Sequence, residues 1–79
     1  MLFRSREALD IAPEEVAQAI VQVLRDQFAI NESGLVSETA YLFGFDRVTN
    51  NVFASVRRGV KYALSKGMIV LYDDRYRLP

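Results

Sequence analysis

Apolar residues recur at helical spacing over three stretches of this chain, and the spacing then collapses to alternation. The longest helical stretch is the clearest. Val52, Val56, Gly59, Val60 and Ala63 fall at the i, i+3/i+4, i+7 positions that draw one stripe down a helix, and Phe53 and Leu64 widen it on one flank. The opposite side carries Asn51, Ala54, Arg58, Lys61 and Ser65, with Arg57 nearer the edge. Thr49 has a hydroxyl that can accept an unpaired N–H of the first turn. Lys66 sets a cation against the negative end of the helix dipole, and Gly67 supplies a left-handed residue to stop the helix. The pattern predicts a helix over 49–66.

Two further helices precede it. Pro13 suits a first helical position because its missing N–H would be unpaired there, and Glu14 and Glu15 favour the positive helix end. Val16, Ile20, Val23 and Leu24 carry the stripe of a helix over 13–27. Asn31 or Ser33 caps a shorter one over 32–43, whose inward side is Leu35, Val36, Thr39, Leu42 and Phe43 and which Gly44 ends. Between them, Phe28-Ala29-Ile30 reads as a brief strand or extended link.

After Gly67 the period becomes two. Met68-Ile69-Val70-Leu71-Tyr72 is a strand with a β-branched and aromatic bias, Asp73-Asp74 is a two-residue turn, and Arg75-Tyr76-Arg77-Leu78 returns. Pairing Tyr72 with Arg75 puts Ile69, Leu71, Tyr76 and Leu78 on one side, the core side. The expected core is therefore Val16, Ile20, Leu24, Leu35, Leu42, Val52, Val56, Val60, Ala63, Ile69, Leu71 and Leu78.

The resulting order is helix, short strand, helix, helix, strand, strand. It is the order of a winged helix-turn-helix, an α+β fold in which the third helix is the recognition helix and the hairpin is the wing. Residues 1–12 read as a leader or linker and 13–79 as the domain. Leu2, Phe3, Leu9 and Ile11 of the leader follow neither period.

Composition narrows the function. The chain has 79 residues, 51% of them hydrophobic, and neither Cys nor His. Disulfides, thiolate zinc sites and nucleophile–His pairs are thus excluded, no cofactor or metal is expected, and nothing marks an enzyme. No apolar run reaches a membrane span and no signal peptide stands out, so the expected setting is cytoplasmic, with no membrane partner and no small-molecule substrate.

Net charge is zero but unevenly spread. Residues 1–44 hold three cations and seven acids, residues 45–79 seven cations and three acids. The run from Arg47 to Tyr72 contains no acid and five cations. Such asymmetry points either to an anionic partner or to a dipolar domain whose halves attract each other or a neighbour. On the first reading Arg57, Arg58 and Lys61 contact phosphate, Ser65 hydrogen-bonds, and Asn50 and Asn51 offer amide geometry for a base edge at the helix start. Arg75 and Arg77 extend the basic surface along the wing, while Asp73 and Asp74 at its tip oppose phosphate. On the second reading the same cations are a solvated face, and Arg75 pairs across the strands with Tyr72. Tyr41 and Tyr62 read as half-buried helix residues. The two function classes are a weak DNA-binding accessory domain and a protein-docking or dimerisation winged helix without nucleic-acid contact.

Three stretches also carry a resemblance: Ile11-Ala-Pro-Glu-Glu-Val-Ala-Gln-Ala-Ile20, Glu38-Thr-Ala-Tyr-Leu-Phe-Gly-Phe-Asp-Arg47, and Gly67-Met68-Ile69-Val70 with Asp74-Arg75-Tyr76-Arg77-Leu78. Together, over residues 11–78, they resemble a small domain of unknown function at the C-terminal end of large bacterial superfamily-one helicase-like proteins, some with an endonuclease-like domain. The shared residues are mostly packing positions and a Gly-Phe-x-Arg turn. The resemblance implies a helicase-associated, non-catalytic appendage whose partners include other domains of a larger parent. It brings no catalytic residue, and no phosphate-binding Gly-x-x-x-x-Gly-Lys-Ser/Thr loop occurs in the chain.

Overall fold

A computed structural model describes residues 10–79. Its elements run α1 (Pro13–Gln27), β1 (Ala29–Ile30), α2 (Glu32–Leu42), α3 (Asn50–Ser65), β2 (Val70–Tyr72) and β3 (Arg75–Arg77). The sheet is antiparallel in the order β1-β3-β2, with the hairpin as the wing. The fold is the expected α+β winged helix-turn-helix. Each helix lies within one residue of its predicted span at either end. The expected hairpin register holds: Tyr72 pairs with Arg75, Leu71 with Tyr76 and Val70 with Arg77. Beyond it, the Phe28–Ile30 segment docks its last two residues on β3, Ala29 opposite Arg77 and Ile30 opposite Tyr76.

Local chemistry fixes the helix ends. Asn31 Oδ1 accepts the Gly34 N–H at 2.9 Å, and Thr49 Oγ1 accepts the Val52 N–H at 3.2 Å. The last two helices stop in the same way. Gly44 and Gly67 take φ 83° and 71°, which lets Phe45 and Met68 return their N–H groups to the carbonyls of Ala40 and Ala63. The hairpin turn has both central residues at positive φ, Asp73 at 55° and Asp74 at 63°. That is the twist a two-residue hairpin requires, and aspartate tolerates it better than most residues.

The core lies where α1 and α3 pack together, closed by α2 and the sheet. Gly59 sits at the crossing. A Cβ there would come within 2.3 Å of Val16 Cγ1 and 2.6 Å of Val16 Cβ, so only a glycine lets the two backbones approach this closely. The seam sets the rotation of α3 about its axis, and with it the side α3 shows to solvent. Buried in the core are Val16, Ile20, Leu24, Leu35, Val52, Val56, Val60, Ala63 and Ile69, together with Ile11 from the expected leader; Leu2, Phe3 and Leu9 lie outside the described residues. Thr39 and Ser55 bury hydroxyls that have no hydrogen-bond partner among the described residues, at a cost of about 1–3 kcal/mol each.

Three expected core residues are not buried. Leu42 is exposed because it lies on the opposite edge of the α2 stripe from Val36 and Ala40, and Phe43, one residue later, fills the core instead. Leu71 shares the inner side of the sheet with Tyr76 but is 52% exposed, because β2 is the edge strand and only the central strand is covered. Leu78, just past β3, is half-buried against the core.

Candidate nucleic-acid interface

With Gly59 and the valine stripe turned inward, α3 presents Asn50, Asn51, Ala54, Arg58, Lys61 and Ser65 to solvent. Asn50 and Asn51 open the helix directly after the Thr49 cap, so their amides sit where a recognition helix meets a groove. Arg58, Lys61 and Ser65 follow at spacings of three and four, which makes them neighbours on one face. Neither Arg58 nor Lys61 has an ion-pair partner among the described residues, and α3 itself contains no carboxylate. Ser65 is partly committed, since its hydroxyl donates to the Tyr62 carbonyl at 2.8 Å and keeps only acceptor capacity.

Arg57 is held differently. Its Nε lies 3.3 Å from Glu32 Oε2 and its guanidinium 5.6 Å from the centre of the Phe53 ring. Both charged side chains are about half exposed, so the pair is weak, but it ties the middle of α3 to the start of α2. The same two charges act on Tyr76. Burial and then the Glu32 carboxylate raise its phenol pKa above the ordinary value, and the Arg57 guanidinium partly offsets them. Arg57 is thus a bridge between elements as well as a cation.

The wing arginines do not join this face. Arg75 and Arg77 share the outer side of the sheet with Val70 and Tyr72. Tyr72 has Arg75 as its register partner, yet the guanidinium over its ring is that of Arg77, 5.3 Å from the centre. Arg77 also lines an open groove of about 550 Å³ with Leu24, Arg25 and Phe28 from the end of α1, Ala29 of β1 and Leu78. No residue of α3 lines that groove. The expected basic residues therefore divide between two surfaces, with the exposed pair Asp73 and Asp74 at the hairpin tip.

Tyr62 is half-buried as expected and carries Lys66 over its ring at 5.8 Å, whereas Tyr41 is exposed on the outer side of α2. Sequence reasoning passed over Arg25 and Phe28. Phe28 reads only as the start of a brief strand or extended link, whereas in the fold it takes a positive φ outside β1 and is exposed. Among the described residues no acidic cluster could hold a metal ion, and no helix is long and apolar enough to cross a membrane. The chain matches no protein-family model, no curated protein and no solved structure.

Proposed function

We propose that this winged helix is an accessory nucleic-acid-binding domain that contacts phosphates through the outer face of α3. One observation supports it above the rest: Arg58 and Lys61 stand exposed on the helix that this fold offers to a groove, with no ion-pair partner among the described residues. Asn50 and Asn51 are the residues suited to a base edge, and Arg57 adds the charge that Glu32 leaves unspent. The resemblance in the sequence extends the proposal to a setting, a non-catalytic appendage of a larger helicase-like protein.

Binding of this kind is electrostatic and weak. Roughly three phosphate contacts give a slope of about −3 in log affinity against log salt, with Kd in the non-specific range of about 10⁻⁴ to 10⁻⁶ M. In a mobility-shift titration on a duplex, Arg58→Ala with Lys61→Ala should weaken all sequences alike and flatten that slope by about two units. A wild-type domain that shifts no nucleic acid at low salt would overturn the reading. A docking domain would then lead. What favours that alternative is a shallow depression in which the apolar Tyr41, Phe45 and Val48 stand beside Ser37, Asp46 and Arg47, with both Tyr41 and Val48 exposed.

A further inference from the structure

The end of α1 and the outer side of the sheet form a surface that the α3 reading leaves unused. Phe28 stands there with φ 75° and ψ −69°, a backbone conformation that residues with side chains avoid, and its ring is 87% exposed. Tyr72, the second exposed aromatic of this region, lies flat enough under Arg77 for the guanidinium to sit 5.3 Å from its centre. Every charged side chain lining the groove beside Phe28 is an arginine, Arg25 or Arg77; Arg77 joins that groove to Tyr72, and Arg75 lies one alternate position along β3 on the outer side of the sheet. Exposed rings interleaved with arginines are what an unpaired nucleic-acid strand requires. Its bases need flat partners because they lack a stacked neighbour, and its phosphates need cations. A duplex buries its base faces and has no use for the rings.

We infer that this surface binds single-stranded nucleic acid, with bases stacked on Phe28 and Tyr72 and the phosphate backbone held by Arg25, Arg77 and Arg75. The site is separate from the α3 face, so the domain grips duplex and single strand on different surfaces, as a junction between the two would demand. Asp73 and Asp74 bound the platform at the hairpin tip and set the limit beyond which the strand is repelled.

Fluorescence anisotropy on the whole chain tests this, with a labelled short oligothymidylate, the matching oligouridylate and a duplex of equal length. Phe28→Ala and Tyr72→Ala should each weaken the single strand about tenfold and leave the duplex unchanged. Tyr72→Phe should keep full affinity because the ring remains. Arg25→Ala with Arg77→Ala should weaken the single strand and reduce its salt dependence by about two contacts. Arg58→Ala with Lys61→Ala should show the opposite selectivity, so failure of the α3 reading and failure of this one are told apart. Comparing oligothymidylate with oligouridylate assigns the strand as DNA or RNA. The inference is overturned if the Phe28→Ala, Tyr72→Ala double variant melts like wild type and binds oligothymidylate equally well. It is overturned too if polyglutamate displaces the oligomer as readily as unlabelled oligomer does, since charge alone would then explain the binding.

Discussion

Two of the helices are followed directly by a phenylalanine, and the two rings meet opposite fates. Phe28 follows α1 at φ 75° with its ring 87% exposed; Phe43 follows α2 at φ −84° with its ring 4% exposed. The residue that comes next makes the difference. After Phe43, Gly44 takes the positive φ that reverses the chain, so the phenylalanine keeps an ordinary conformation and turns into the core. After Phe28 comes Ala29, already committed to its pairing with Arg77. With no glycine to reverse the chain and β1 fixed on β3, Phe28 itself takes the positive φ, and its ring is carried outward. The comparison teaches that a helix end without a glycine places its strain on whatever residue stands there. It also shows why a large aromatic at such a place is informative: smaller residues bear that strain more easily.

The contrast can be broken at the buried end first. Phe43→Ala should lower stability by about 3–4 kcal/mol in chemical denaturation, the cost of an emptied aromatic site in a core this small; a loss as small as that of Phe28→Ala would end the distinction. Gly44→Ala should cost about 1–2 kcal/mol in the same assay, because a Cβ is then forced into the left-handed region. At the exposed end the sign reverses. Phe28→Gly should raise stability by about 1 kcal/mol, since relief of backbone strain exceeds the entropy a glycine adds to the unfolded chain. A lower melting temperature for Phe28→Gly would show that its ring packs after all.

The smallest effect concerns the sheet that forces Phe28 outward. Tyr76 pairs with both Ile30 and Leu71, and its phenol pKa is raised by burial and by Glu32. A raised pKa means that the fold favours the neutral phenol. Its contribution is therefore complete below the ordinary tyrosine value of 10.0 and declines as pH rises through the folded value. Melting temperature should fall on the alkaline side of pH 10 by more in wild type than in Tyr76→Phe.

How much of this was legible in the sequence differs by element. Helical periodicity placed all three helices because each buries a continuous stripe against neighbours on more than one side, as Val52, Val56, Val60 and Ala63 do on α3. Alternation and one choice of register placed the hairpin. The candidate residues Asn50, Asn51, Arg58 and Lys61 were legible as well, since a polar face is simply what the stripe leaves over. Burial at the margins was not. Leu42 and Leu71 belong to apolar patterns, yet one lies at the edge of its stripe and the other on an edge strand.

The sequence by itself determined the order of the elements, the cap at Thr49, the glycine stops at Gly44 and Gly67, and the charge carried by α3, because each depends on residues within one or two helical turns, while the choice of Asn31 over Ser33 as the α2 cap came from the structure. Only the tertiary structure decided that Gly59 is a crossing point, that Arg57 is drawn to Glu32, and that Arg77 lines a groove with Arg25 and Phe28 that no residue of α3 reaches. Those outcomes depend on pairs of residues distant in the chain. Side-chain type fixes what each partner can do, but the approach of two backbones and the docking of β1 on β3 fix which partners meet.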